Sequence, residues 1–271
     1  MGLFDVHAHL TDERLAARED EILAAARAAG VTTILSNGLN PTDNQATAEL
    51  AARSGGLVKP CFGFYPVDTV LPEMLAAGID YPHREVEHLP TVDEGVAWVR
   101  ENLDACVAVG EIGLDGYWIP EELWPQQERA FRAMVSLAME ADKPIIFHSR
   151  KLEQRAMDIL VEMGATRVDW HCYGSKIKRA MRIAALPGHY LSIPANCARV
   201  PGFRAMLERL PRDRVLLETD CPYLSPDRGE LNHPANVART VTLAAELWSC
   251  SEDAVLAQLE ENFERLFGFA P

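Results

Sequence analysis

Short unbroken apolar runs alternate along this chain with longer stretches in which apolar side chains return every third or fourth position. The first pattern reads as a strand buried on both faces, the second as an amphipathic helix. Residues 4–10, 31–35, 58–65, 106–112, 144–148, 167–172, 189–193 and 215–219 fit the strand pattern. Asp12 opens a helical stretch with Leu15, Ile22, Leu23 and Ala26 on one side, and Gly30 ends it. Further helices are predicted over 41–53, entered through Asn40-Pro41, and over 92–103, 120–142, 176–185, 203–210, 234–248 and 252–267, with another running through Met163 and Gly164. Residues 67–89, with Pro72 and Pro82 and two histidines, His83 and His88, read as an irregular connection long enough for a lid or binding loop.

Eight strand-like runs, nearly all separated by helices, imply a parallel sheet. Within 271 residues they point to an α/β fold of the closed (β/α)8 TIM-barrel type, a single domain spanning 1–271. The rival is an open, doubly wound sheet. It usually carries a glycine-rich phosphate-binding turn after its first strand, and neither G-x-G-x-x-G nor G-x-x-x-x-G-K-[ST] occurs here.

Composition narrows the function classes. No apolar run reaches the roughly 18 residues of a membrane span, and Asp5 stands where a signal peptide would need its apolar core. The six cysteines form no C-x-x-C pair, so they read as free thiols of a cytoplasmic protein. A formal charge of −14 repels a polyanion over the surface as a whole and disfavours an extended basic nucleic-acid face. It leaves room for a local metal site that acts on a phosphate.

The polar residues that close the apolar runs carry the chemistry. His7 and His9 stand two apart in the first run, so a strand would point both imidazoles to one face. Glu111 ends the fourth run, His148 the fifth and His171 the sixth, and Asp220 follows the eighth. Singly, each would pass as a satisfied core or rim residue. In a TIM barrel all six share the C-terminal mouth, where such barrels place their active sites. Four imidazoles and two carboxylates exceed what one tetrahedral ion requires and suit a pair of divalent ions bridged by a carboxylate, for which Glu111 is the candidate. Arg150, two beyond His148, suits a substrate phosphate if it does not simply face solvent, and Tyr173 is a weaker candidate for substrate contact. Asp5 and Glu218 sit two residues before His7 and Asp220, placed to orient ligands rather than touch substrate.

The stretches Phe4-Asp5-Val6-His7-Ala8-His9-Leu10, Val109-Gly110-Glu111-Ile112-Gly113-Leu114-Asp115, Ile146-Phe147-His148-Ser149-Arg150, His171-Cys172-Tyr173-Gly174-Ser175 and Leu217-Glu218-Thr219-Asp220-Cys221-Pro222-Tyr223-Leu224 together resemble the TatD family of metal-dependent hydrolases, within the amidohydrolase superfamily. The likeness runs to Glu261-Asn262-Phe263-Glu264-Arg265-Leu266-Phe267 near the end. It implies two divalent ions (Mg, Mn or Zn), one held by His7, His9, Glu111 and Asp220, the other by Glu111, His148 and His171. It also implies hydrolysis of phosphoester bonds in the manner of a deoxyribonuclease, on substrates such as DNA ends. Metal-assisted hydrolysis there makes Asp220, as acceptor of the water proton, and the bridging Glu111 the expected catalytic residues, and no obligate protein partner is evident. One departure stands out. The family often carries Gly-x-His-Pro-His after the third strand, and this chain has Gly63-Phe64-Tyr65-Pro66-Val67, which alters a substrate-side contact. Hydrolysis of an amide, lactone or ester, and a metal-binding scaffold without turnover, are the competing readings.

Overall fold

The computed structural model describes residues 2–82 and 90–271, and the chain winds there around one eight-stranded sheet of parallel strands in sequential order. The strands are β1 (Leu3–Ala8), β2 (Val31–Asn37), β3 (Val58–Phe62), β4 (Ala108–Asp115), β5 (Ile145–Arg150), β6 (Val168–Trp170), β7 (His189–Pro194) and β8 (Val215–Glu218). At the seam, Thr219 N donates to Asp5 Oδ1 (2.9 Å), Asp220 N to His7 O (2.8 Å) and His9 N to Cys221 O (2.8 Å). These bonds draw the last strand round to the first, and the fold is a (β/α)8 barrel.

The helices are α1 (Glu13–Ala16), α2 (Glu19–Ala28), α3 (Pro41–Arg53), α4 (Leu71–Ala76), α5 (Val92–Asn102), α6 (Trp124–Glu140), α7 (Glu153–Met163), α8 (Ile177–Ala184), α9 (Pro201–Arg209), α10 (Val237–Trp248) and α11 (Glu252–Phe267). Asn40 caps α3 by accepting from Asp43 N, with Pro41 in the first turn. Thr91 and Glu94 form a reciprocal capping box on α5. Their apolar faces pack on the outside of the strands. Phe263 of α11 meets Phe4 of β1 with ring centroids 4.6 Å apart, and Phe131 of α6 meets Phe147 of β5 at 5.8 Å. Each such ring, fully buried, contributes about 1.5–3 kcal/mol. Asn262 then ties α11 to the foot of β8, its amide donating to Arg212 O and Val215 O.

Several boundaries depart from the expected ones, each for a local reason. The first predicted helix is two, because Glu19, Asp20 and Glu21 open a fresh first turn at α2, where negative charge favours a helix start. Strand β6 ends at Trp170, and Cys172 turns the chain with φ 44°. Strand β4 runs to Asp115 because β5 pairs with it as far as Arg150, and Gln127 of α6 satisfies the other side of the main chain there: Asp115 N donates to its Oε1 (2.9 Å) and its Nε2 donates to Asp115 O (3.2 Å). The connection expected to be irregular contains α4, whose Leu71 and Met74 close a small apolar cluster with Val67, Val70, Tyr81 and Ile119. His83 and His88 lie outside the described residues. Among the described residues no helix is long and apolar enough to cross a membrane.

Candidate metal centre

The six candidate ligands converge at the C-terminal mouth of the barrel. His7 and Glu111 lie within β1 and β4, His148 within β5, and His9, His171 and Asp220 just beyond the ends of β1, β6 and β8. His7 Nε2 and His9 Nε2 are 3.1 Å apart. Glu111 divides its carboxylate between two groups. Oε2 is 3.5 Å from His7 Nε2 and 3.4 Å from His9 Nε2, whereas Oε1 is 3.3 Å from His148 Nδ1 and 3.9 Å from His171 Nε2. Asp220 Oδ1 stands 3.5 Å from His9 Nε2 and 4.0 Å from both His7 Nε2 and His171 Nε2. Ligand atoms bonded to one ion at ~2.0–2.2 Å are roughly 3.0–3.5 Å from one another. Two sets of neighbouring donors, His7/His9/Glu111 and Glu111/His148/His171, fit metal ions in donor chemistry, and these separations, but for the 3.9 Å between Glu111 and His171, fall in or at the edge of that range.

Backbone packing explains how Glu111 reaches this position. Its amide donates to Gly38 O (3.1 Å), and Gly63 lies so close that a Cβ there would come within 2.2–2.3 Å of the Glu111 main chain. Only glycine fits. Asn44 holds Gly63 from behind, donating to its carbonyl (2.8 Å) and accepting from its amide (3.0 Å). Asp220 adopts φ 57°, a left-handed conformation that aspartate tolerates better than most side chains.

A second ring of contacts fixes which imidazole nitrogen faces inward. His9 Nδ1 bonds the main-chain carbonyl of Asn37 (3.0 Å), so its Nε2 presents a lone pair to the cluster. His148 Nε2 bonds Asp115 Oδ2 (3.1 Å), and His171 Nδ1 bonds Glu218 Oε2 (2.9 Å). His7 Nδ1 is buried with no hydrogen-bond partner among the described residues. Burial disfavours the charged form of every ring here, and at His7, beside His171, it prevails, with the pKa lowered to about 4. At His148 the carboxylates of Asp115 and Glu111 overcome burial and raise the pKa to about 9. Glu218, with Asp220 and Glu111, does the same at His171, which rises to about 10. Burial alone would raise Glu111, but hydrogen bonds from His148 and His7 and the nearby positive charge hold it well below the usual carboxylate range.

The remaining predicted residues divide. Arg150 is exposed at the rim, with its guanidinium 3.9 Å above the Tyr117 ring. Tyr173 is 2% exposed, and its ring packs against Trp170 beneath the mouth. Asp5 receives the amide of His7 and the amide and hydroxyl of Thr219, so it braces the seam rather than an imidazole. Of the two departures from the family pattern, Tyr65 lies 5.2 Å from the His148 ring, while Val67 is buried in the apolar cluster beside α4. Asp115, Gln127 and Tyr117 were not singled out from sequence. Asp115 was within reach of it: in an extended strand Glu111, Gly113 and Asp115 share a face. Gln127 belongs to a different element and carries no such signal.

A parallel barrel with a histidine and carboxylate cluster at its C-terminal mouth defines the class of metal-dependent hydrolases. Residues 4–268 match the family described as TatD related DNase, and the chain belongs to that family. It is 30% identical over 276 residues, covering 98% of both chains, to the metal-dependent hydrolase YabD of Bacillus subtilis. It is also 30% identical over 284 residues, again covering 98% of both, to the 3′-5′ ssDNA/RNA exonuclease TatD of Klebsiella pneumoniae. The crystal structure of YJJV, a TatD homologue from Escherichia coli, superposes with a TM-score of 0.82 at 24% identity, covering 98% of each chain, which establishes the shared fold.

Proposed function

We propose that this hydrolase cleaves phosphoester bonds, with DNA ends among its substrates, using two divalent ions (Mg, Mn or Zn). His7, His9, Glu111 and Asp220 would hold one, and Glu111, His148 and His171 the other. When bound, such a pair polarises a phosphoryl oxygen and lowers the pKa of water toward neutrality. The observation that supports this reading most is the division of the Glu111 carboxylate, one oxygen to each histidine pair.

The residues have distinct tasks in the proposal. Glu111 fixes the distance between the two histidine pairs. Asp220 is 9% exposed at the mouth, and its carboxylate accepts the proton of the attacking water as the new phosphorus–oxygen bond forms, then passes it on to the leaving oxygen as that bond breaks. Arg150 contributes a guanidinium at the rim for a phosphate of the substrate. The exonuclease name of the Klebsiella relative and the family description agree with a nucleic-acid substrate.

Turnover of bis(p-nitrophenyl) phosphate, short oligonucleotides and ester substrates, measured side by side with added manganese, tests the reading. Phosphodiesters should be hydrolysed and esters spared; the reverse preference would transfer the chemistry to carbon. Asp220→Asn should keep the fold and much of the metal while removing turnover. A fully active Asp220→Asn enzyme would discard the proton-accepting role.

A further inference from the structure

Beside the His148 half of the cluster the rim carries a second feature that the hydrolytic step does not use. Tyr117, in the loop after β4, is 48% exposed, and two cations lie over its ring: Arg150 Cζ at 3.9 Å from the centroid and Lys151 Nζ at 4.6 Å. Both cations are exposed and neither side chain forms a salt bridge among the described residues; the nearby Glu153 takes the Lys151 main-chain amide (3.2 Å) and pairs with Arg179 (3.3 Å). The opposite rim looks similar but differs in charge. There Tyr223 stands edge-on to His9 at 6.3 Å and carries Arg14 at 4.4 Å, but Asp12 grips that guanidinium through both oxygens (2.8 and 2.6 Å) and neutralises it. In a chain of net charge −14, the Tyr117 side is therefore where unneutralised positive charge borders the cluster.

The trio is also fixed in place relative to the cluster. Asp115 is fully buried and bonds in two directions, with Oδ2 to His148 Nε2 (3.1 Å) and Oδ1 accepting from the amides of Tyr117 (2.7 Å) and Trp118 (2.8 Å). The amide of Gly116 donates to Arg150 O (2.8 Å), and Asp115 and Arg150 are in register across β4 and β5. One carboxylate thus sets both an imidazole of the cluster and the loop that holds the aromatic ring. An aromatic face attracts cations and limits their freedom, which preorganises two charges for an anion.

We propose that Tyr117, Arg150 and Lys151 form a subsite for a second phosphate, next to the one being cleaved, so that the site favours a nucleic-acid chain over an isolated phosphodiester. This rests on the phosphodiester reading above. In it, the two cations pair with the neighbouring phosphate, and the face of Tyr117 keeps them there. The ring matters and its hydroxyl does not.

Three dinucleotides separate the subsite from the chemistry: thymidylyl-thymidine (TpT), with only the scissile phosphate, and pTpT and TpTp, with one more phosphate on either side. With the manganese-loaded full-length enzyme, one of the two phosphorylated forms should be cleaved with a kcat/KM roughly five- to hundredfold above that of TpT, mostly through KM. Lys151→Asn, a residue that tolerates the left-handed backbone there (φ 64°), and Tyr117→Ala should shrink that ratio, while Tyr117→Phe should retain it. Binding of a labelled oligothymidylate in EDTA provides a reading without turnover. Its log–log salt slope should become shallower by about one in Lys151→Asn. Equal cleavage of all three dinucleotides, or a preference that survives both Lys151→Asn and Tyr117→Ala, would overturn the subsite while leaving the phosphodiester reading intact. If none of the three is cleaved, the phosphodiester reading fails, and an unaltered salt slope in EDTA then rejects the subsite as well.

Discussion

The two histidine pairs of the cluster share Glu111 yet differ in what backs their rings. In the His7/His9 pair the rear nitrogens meet a main-chain carbonyl, from Asn37, or no partner among the described residues. In the His148/His171 pair both rear nitrogens meet a carboxylate, Asp115 or Glu218. Burial and the neighbouring His171 lower the pKa of His7 to about 4, whereas carboxylates raise His148 and His171 to about 9 and 10; His9, despite its burial, is also raised, by Asp220 and Glu111 on its inner side. A carboxylate behind an imidazole adds negative charge to a site and raises the basicity of the nitrogen facing an ion. The contrast shows that one ligand type can meet unlike settings, set by what stands behind the ring together with the charges in front of it.

The strongest disruption of the comparison is removal of the residue the halves share. Glu111→Ala should lose both ions and lower turnover beyond the ~100-fold expected for an orienting partner, as read by metal analysis and phosphodiesterase assay together. Retention of two metals per chain would deny Glu111 its bridging place. A graded effect is expected one layer out. Asp115→Asn and Glu218→Gln should each cost about 10- to 100-fold in metal affinity or activity, with the metal-to-protein ratio falling from two toward one at limiting metal. If both variants bind two ions as tightly as the parent, the carboxylate backing has no effect on affinity.

The smallest effect sharpens the comparison away from the mouth. His189 is a buried imidazole with two neutral partners, accepting from Trp170 Nε1 at Nδ1 (2.9 Å) and bonding Ala165 O through Nε2 (2.9 Å). Burial pushes its pKa below the ordinary value. Above about pH 6.5 the ring is neutral folded or unfolded, so it adds no pH dependence. As pH falls below that value the unfolded chain takes up a proton that the folded chain refuses, and stability drops by up to about 1.4 kcal/mol per pH unit. His189→Gln should flatten this acid slope in urea unfolding followed between pH 7 and pH 5. An unchanged slope would mean that the ring accepts the proton in place.

The barrel and the convergence of the six side chains were legible because both depend on period and position. Each of His7, Glu111, His148 and His171 closes an apolar run, and the end of a parallel strand has one defined place in such a barrel. What stayed hidden depends on partners distant in sequence. The extension of β4 to Asp115 rests on pairing with Arg150 of β5 and on Gln127 from α6, and the break between α1 and α2 comes from an acidic triplet inside an otherwise regular helical pattern. The stacking of Arg150 and Lys151 on Tyr117 joins two loops and follows no spacing rule. Tyr65 could be placed opposite a family histidine, but only the fold shows it beside His148 while Val67 turns into an apolar cluster.

The seam between β1 and β8 has a consequence for how the enzyme comes into being. Asp220 donates its amide to His7, and His9 donates its own to Cys221, so donors from opposite extremes of the polypeptide become neighbours only when the last turn of the barrel docks on the first. A nascent or nicked chain that lacks that final docking has imidazoles but no cage for them. The complete set of donors is thereby a property of the closed barrel and not of either end of the chain alone.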